Sequence, residues 1–236
     1  MIKLYQYDVC PYCCKVKAVL DYKHIPYEKI EVNPMTHEEL QGVAGAMEYN
    51  KVPVLVDAEN NGRVVFESND IIRYLDETYP QRPVFAPSDT GQKAQKEWMD
   101  FVDEELVQVL PGNIYRSILE AIDSFKYITK VGNFPLWKRY YLMLGGAIAM
   151  NIVAKKGLKK RGIKDPREAL KKSLAKWSNG LGTKKFMGGD TPDVTDLVCF
   201  GVLSAVHEMK VWPFIESLES IPAWYDRVQK TFKTKS

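Results

Sequence analysis

The run Ile2-Lys3-Leu4-Tyr5-Gln6-Tyr7-Asp8-Val9-Cys10-Pro11-Tyr12-Cys13 decides how the chain is read. Ile2 to Tyr7 is short and β-prone, and a turn follows it. From Pro11 onward Val16, Val19 and Leu20 recur at helical spacing, which predicts a helix over about 11–23. Cys10 therefore stands where a strand ends and a helix begins. Free amide groups and the helix dipole at such a point favour an anion, so a cysteine there is shifted toward thiolate at neutral pH. Pro11 falls at the first helical position, where its missing N–H costs nothing. Cys13 lies one turn on, within reach of a disulfide with Cys10. Zinc sites share this spacing but need two further ligands. Cys14 is badly placed for that and His24 and His37 lack motif spacing, so thiol chemistry without a metal is expected. Cys14 and Cys199 read as small packing residues.

Outward from this stretch, 27–32 reads as a second strand and 36–46 as a helix with Glu38 and Glu39 near its start. Residues 52–57 and 63–67 read as two more strands, joined by Asn60-Asn61-Gly62, a strong hairpin signal. Ser68 is expected to cap a helix carrying Ile71, Ile72, Tyr74 and Leu75. The order β-α-β-α-β-β-α implies a parallel pair with a right-handed crossover, closed by an antiparallel hairpin: a thioredoxin-like layout. Pro83, Pro87, Ser88 and Asp89 mark a linker. Beyond it no strand is visible, and helical patterns run through 92–110, 113–129, 136–155, 166–181, 193–209 and 223–232. The division expected is 1–81 thioredoxin-like, 82–91 linker and 92–236 all-α.

With 236 residues, 45% hydrophobic and 27% charged, the chain can bury a core without covalent staples. Three of its four cysteines lie at 10, 13 and 14, unlike a secreted disulfide framework, which indicates a reducing compartment. The net charge of +3 is nearly balanced. Basic residues cluster, however, at Lys155, Lys156, Lys159, Lys160, Arg161, Lys164, Arg167, Lys171 and Lys172, against Asp165 and Glu168. A solvated helix face and loop is the expectation, with an anionic substrate, lipid headgroups or nucleic acid as alternatives. No nucleic-acid motif accompanies the run, and no nucleic-acid partner is expected. The longest apolar stretch, 142–154, contains Gly145, Gly146 and Asn151 and is too short to span a bilayer. With a strand opening at Ile2, no signal peptide, transit peptide or membrane anchor is expected, and the cytoplasm is the expected location.

Two further features sit near Cys10 in this layout. Val52-Pro53 opens the third strand, either as an ordinary edge proline or as a cis bond that frees the Val52 backbone for a peptide-like ligand. Glu67-Ser68 opens a helix, either as simple capping or as a site where free amides take a carboxylate and Glu67 takes an ammonium group. A thiol, a carboxylate and an amine together describe glutathione.

Cys10-Pro11-Tyr12-Cys13, Val52-Pro53 and Glu67-Ser68 together resemble the glutathione-transferase superfamily. Asp193-Val194-Thr195-Asp196 resembles the capping box of a buried helix in its α-helical domain. Tyr5-Gln6-Tyr7, Glu31-Val32-Asn33-Pro34, Lys51-Val52-Pro53, Asn113-Ile114-Tyr115-Arg116, Glu120-Ala121, Ser124-Phe125, Phe186-Met187-Gly188-Gly189 and Gly201-Val202-Leu203 are similar to its type-2 prostaglandin E synthase branch, over nearly the whole chain.

The resemblance implies an α+β, thioredoxin-like (glutaredoxin-like) N-terminal domain followed by an all-α transferase domain. It implies isomerisation of a prostaglandin endoperoxide at the Cys10 thiol, with Tyr7 beside it and Cys13 as a second candidate thiol. Tyr12, Val52, Pro53, Glu67 and Ser68 would meet glutathione, and Tyr115 and Arg116 would line a cleft for a small electrophilic or lipid-derived substrate. Haem bound through the glutathione thiol and a homodimer are also implied. Compared with the animal members, no N-terminal hydrophobic anchor and no long insertion after the first domain are expected. Two rival readings are a thiol transferase or dehydroascorbate-type reductase acting on mixed disulfides, and a non-catalytic glutathione- or haem-binding or interaction module.

Overall fold

The computed structural model describes residues 1–124 and 136–233, with side chains resuming at 145. By contact the chain divides into two compact units. Unit 1 takes Met1–Met99, Thr183–Ala205 and Trp224–Ser236, and unit 2 takes Asp100–Gly182 and Val206–Ala223.

Unit 1 is built on a four-stranded sheet of order β2-β1-β3-β4: β1 Ile2–Gln6, β2 Tyr27–Glu31, β3 Val54–Asp57 and β4 Arg63–Phe66. β1 and β2 are parallel from Ile2↔Tyr27 to Gln6↔Glu31, whereas β3 runs antiparallel to both β1 and β4. The hairpin follows its sequence signal: Asn61 and Gly62 both take positive φ, +56° and +66°, the pair a tight right-twisted hairpin requires. Helix α1, Pro11–Tyr22, connects the parallel strands.

The stretch 36–46, expected to be one helix, is not one. It holds a 3-10 turn at Glu38–Leu40, and α2 is confined to Ala46–Tyr49. His37, Gly42 and Gly45 take positive φ (+50°, +82° and +74°), and left-handed backbone at three places within ten residues cannot carry a helix. Ser68 is likewise the first residue of α3, Ser68–Thr78, and not its cap. Glu67 holds the cap position.

Three more helices complete unit 1: α4, Asp89–Phe101; α9, Val194–Ser204; and α11, Ile221–Thr231, which begins just before the unit boundary. α9 packs against α1 and is buried almost throughout, as its sequence Val-Thr-Asp-Leu-Val-Cys-Phe-Gly-Val-Leu-Ser requires. Leu197, Val198, Val202 and Leu203 are fully buried, and each contributes about 1.5–3 kcal/mol relative to exposure. The capping box expected at its start is present: Asp193 accepts from Thr195 N and Asp196 N, while Asp196 accepts from Asp193 N. At Gly201 the two helices nearly touch, with an added Cβ lying 2.6 Å from both the Cys14 carbonyl oxygen and the Lys15 Cα. Asp57, at the end of β3, ties the hairpin to α3 by accepting from the hydroxyls of Tyr74 (2.8 Å) and Tyr79 (2.6 Å). The linker is pinned as well, since Asp76 pairs with the buried Lys23 ammonium at 2.6 Å and accepts from Val84 N and Phe85 N.

Unit 2 is helical. A π-turn at Val102–Leu106 leads into α5 (Val107–Ile114), followed by α6 (Ile118–Ser124), α7 (Leu136–Lys160), α8 (Pro166–Leu181) and α10 (Trp212–Glu216). The expected helix at 113–129 is broken: 113–114 end α5, residues 115–117 are not helical, α6 covers Ile118–Ser124, and 125–129 lie outside the described residues. The expected helix at 193–209 stops at Ser204. α10, which sequence reading missed, begins with a Trp-Pro pair. Asp165 caps α8 through Arg167 N (2.8 Å) and Glu168 N (3.2 Å). Lys155, Lys156, Lys159, Lys160 and Lys164 are exposed at the end of α7 and in the loop that follows. Among the described residues, no helix is long and apolar enough to cross a membrane.

Gly201→Ala is expected to cost about 1–3 kcal/mol, because both atoms in the way belong to backbone and cannot swing aside. Urea unfolding of the variant measures it, and an unchanged midpoint would show that α1 and α9 can separate freely.

Candidate active site

The residues around Cys10 all belong to unit 1. β1 ends at Gln6, and the chain turns through Tyr7, Asp8 and Val9 to Cys10, whose amide donates to Tyr7 O at 3.0 Å. Cys10 is the N-cap of α1 with extended backbone (φ −77°, ψ 121°), and Pro11 follows at the first helical position. Its thiol is partly exposed, whereas those of Cys13 and Cys14 are buried, and all are free. Sγ of Cys10 closes no capping hydrogen bond of ordinary length.

The two thiols of the motif are driven apart. Cys10 is brought down to about 7, chiefly by a hydrogen bond from the Cys13 side chain, then against burial by the amides of Cys13 and Tyr12 and the charge of Lys17. Burial pushes Cys13 well up, and its partnership with Cys10 adds to that. Cys10 is thus the thiolate and Cys13 holds the shared proton. Lys17 lies one turn beyond Cys13, anchored by the carbonyl oxygen (2.9 Å) and carboxylate (3.0 Å) of Asp8. The sequence reading missed Lys17; its position one helical turn beyond Cys13 is the signal that could have found it.

Tyr7 packs on an apolar cluster of Tyr5, Val32, Leu40, Ala46 and Val54, which Val52 and Tyr49 also join. Burial, followed by the charges of Cys10 and Cys13, pushes its phenol up to about 12. Tyr7 therefore stays protonated at neutral pH as a hydrogen-bond donor or acid. Its hydroxyl meets His37 Nε2 at 3.1 Å, and His37 Nδ1 meets Asn50 Oδ1. The sequence offered His37 only as a zinc ligand lacking motif spacing, within a helix expected over 36–46, and gave no sign of its contact with Tyr7.

The Val52–Pro53 peptide is cis, the second of the two readings left open by the sequence. Pro53 is buried, and β3 begins one residue later. Glu67 has φ +59° and ψ 126°, a conformation a non-glycine residue holds only against strain, and its side chain is exposed. Its neighbour Tyr49 is raised to about 12 by burial and then by the Glu67 charge, with Cys13 also contributing. Ser68 is buried at the start of α3, whose first amides point out of the helix. Beside it, Asn69 accepts from the buried Lys15 ammonium at 2.7 Å, and that ammonium also stands over the Tyr12 ring at 5.6 Å. Sequence reading passed over Lys15, whose charge its helical position hid.

Tyr115 and Arg116 lie in unit 2. Tyr115 is mostly buried, its carbonyl accepts from Asn151 Nδ2, and Arg116 pairs with Glu120 at 3.2 Å. Among the described residues, no three metal-ligating side chains gather.

Residues 4–83 match the family model of the glutathione S-transferase N-terminal domain. Prostaglandin E synthase 2 of Danio rerio is 29% identical over 97% of this chain and 70% of its own length. Glutathione transferase F2 from Populus trichocarpa superposes with a TM-score of 0.65 at 17% identity, over 99% of this chain and 96% of that one. A glutathione S-transferase from Methylobacillus flagellatus KT, solved with glutathione bound, superposes with a TM-score of 0.60 at 17% identity, over the same 99% and 96%.

Alkylation of Cys10 by iodoacetamide is expected to rise with pH through a midpoint near 7. Cys13→Ala should move that midpoint up by removing the donor that stabilises the thiolate, and Cys13→Ser, which keeps a donor, should move it less. A wild-type midpoint at the ordinary thiol value of about 8.5 would show that Cys13 and the start of α1 leave Cys10 unactivated.

Proposed function

Because the chain is glutathione-transferase-like, with residues 4–83 matching that family's N-terminal domain, we propose that it is a glutathione-dependent thiol enzyme whose nucleophile is Cys10. The observation that carries this reading is the partly exposed Cys10 thiol at the start of α1, brought down to about 7 while its buried neighbour Cys13 keeps its proton. A thiolate poised near ambient pH combines a usable charged fraction with nucleophilic strength. The Val52 backbone, Pro53 and Tyr12 are suited to the peptide part of glutathione, the first amides of α3 at Ser68 to a carboxylate, and Glu67 to its ammonium group.

The favoured reaction is isomerisation of a prostaglandin endoperoxide to the E-type prostaglandin, supported by the similarity to prostaglandin E synthase 2 and by the pairing of one thiolate with one protonated phenol. The Cys10 sulfur attacks one oxygen of the O–O bond and forms an S–O bond. The O–O pair leaves on the other oxygen, which takes a proton from Tyr7 and becomes a hydroxyl. Loss of the hydrogen on the carbon bearing the S–O oxygen then makes C=O, breaks the S–O bond and restores the thiolate, while that proton returns to Tyr7. Substrate and product have the same composition, so no outside oxidant or reductant is consumed. Thiol chemistry of this kind requires no haem.

The hydrogen bond between Cys13 and Cys10 favours a second reading, thiol transfer on mixed disulfides. There Cys10 attacks a disulfide sulfur, a thiolate leaves, and Cys13 or glutathione resolves the new disulfide.

Turnover with glutathione would be measured on the prostaglandin endoperoxide, a small mixed disulfide, dehydroascorbate and a chloro-nitro-aromatic compound. Wild type should turn over the endoperoxide, Cys10→Ser should lose that activity, and Cys13→Ser should keep it. Loss in Cys13→Ser together with activity on the mixed disulfide would establish the dithiol reading instead. No turnover of any compound and no glutathione binding would leave a non-catalytic module on a transferase fold.

A further inference from the structure

We propose that His37, oriented by Asn50, is a positioning residue that makes Tyr7 a proton relay between the Cys10 site and solvent. The inference rests on the reading above that Tyr7 stands at the reacting centre, and it adds where the proton goes.

A phenol held up at about 12 is a poor source of charge, since giving up its proton outright would leave a phenolate beside the Cys10 and Cys13 thiols. A hydroxyl hydrogen-bonded to an imidazole has another course. It accepts a proton at oxygen while passing its own on, and never carries a charge. The geometry supplies that arrangement, with Tyr7 Oη and His37 Nε2 3.1 Å apart. Asn50 presents its carbonyl oxygen to Nδ1. An acceptor at Nδ1 keeps the ring proton there, so in the neutral ring Nε2 is a lone pair facing the phenol.

His37 and Asn50 both adopt left-handed backbone, at φ +50° and +51°. These conformations are sparsely populated for side-chain-bearing residues; the ring meets Tyr7 and the amide meets the ring. The rival bases around Tyr7 are engaged elsewhere: Glu31 accepts from Gln6 Nε2 (2.8 Å) and Asp8 N (3.1 Å), and Glu39 accepts from Asn33 N (2.8 Å). His37 is partly exposed and so exchanges protons with water.

The relay balances in both directions. When a thiol at the site loses its proton, Tyr7 Oη takes that proton and its own moves to Nε2, giving an imidazolium held by Asn50. When a reacting oxygen gains a proton, Tyr7 Oη–H supplies it and Nε2–H replaces it, returning the neutral ring with its proton on Nδ1.

Two measurements test this. Imidazole nitrogen NMR of the wild type is expected to find neutral His37 in the Nδ1–H form, the minor form of free histidine, and in Asn50→Gly to find it reverted to Nε2–H. The Nε2–H form in the wild type would overturn the proposal. In the second, His37→Asn tolerates the left-handed backbone but is too short to reach Tyr7. It should lower kcat for endoperoxide isomerisation by about 10²-fold, the scale of a lost acid–base group, with KM for glutathione and alkylation of Cys10 unchanged. An equal fall in alkylation would make His37 merely structural and overturn the relay, and so would full kcat in His37→Asn where Tyr7→Phe is impaired. Full activity in Tyr7→Phe would instead sink the placement of Tyr7 at the centre, and the relay with it.

Discussion

Helix α1 is gripped by α3 and by α9, with Gly201 as the point where the backbones of α1 and α9 nearly meet. The chemistry depends on this grip. A helix start stabilises an anion only if its amides stay pointed at it, and those of α1 are held because eight of the helix's twelve residues are buried. The grip is itself anchored by a carboxylate. Asp196, in the first turn of α9, accepts from Trp224 Nε1 (2.8 Å) on α11 and from the amides of Met187 (3.0 Å) and Gly188 (3.2 Å). Burial and the nearby Asp193 push that carboxyl up to about 6, so the hydrogen bonds work against a real desolvation cost. One capping box thus sets the position of α9, and α9 sets the position of the thiol.

Within the motif the two thiols are driven apart. A single hydrogen bond joins them and has opposite effects on its ends, stabilising the partly exposed Cys10 as an anion while burial and the same bond keep Cys13 as a donor. Tyr7 follows the same rule, since closing it in beside two thiols makes ionisation costly and leaves it useful as a holder of protons.

Much of unit 1 was legible in the sequence because its signals are local. The Cys10-Pro11-Tyr12-Cys13 placement, the Asn60-Asn61-Gly62 hairpin and the Asp193–Asp196 capping box each act over a few residues, and all three appear as read. The stretch from Thr36 to Ala46 failed for the opposite reason. Its helical composition was outweighed by Gly42, Gly45 and a left-handed His37, and with that error the group touching Tyr7 was missed. Lys15 was also illegible: a lysine in a helix reads as solvent-facing, and only the tertiary arrangement shows its ammonium turned inward to Asn69. That α9 and α11 complete the first unit could not be read from periodicity, which finds helices but not their partners.

That last feature has a consequence for how the protein is made. The sheet and α1 emerge from the ribosome early, but the helix that covers α1 is encoded about 180 residues later. At typical synthesis rates this leaves roughly ten to forty seconds in which the apolar flank of α1 has no permanent cover. During that interval the nascent chain is a client for holding factors and a hazard for its neighbours on the same message. Cys10 gains the support of α9 only once that helix has been made, so a product terminated before it would carry the thiol without that support.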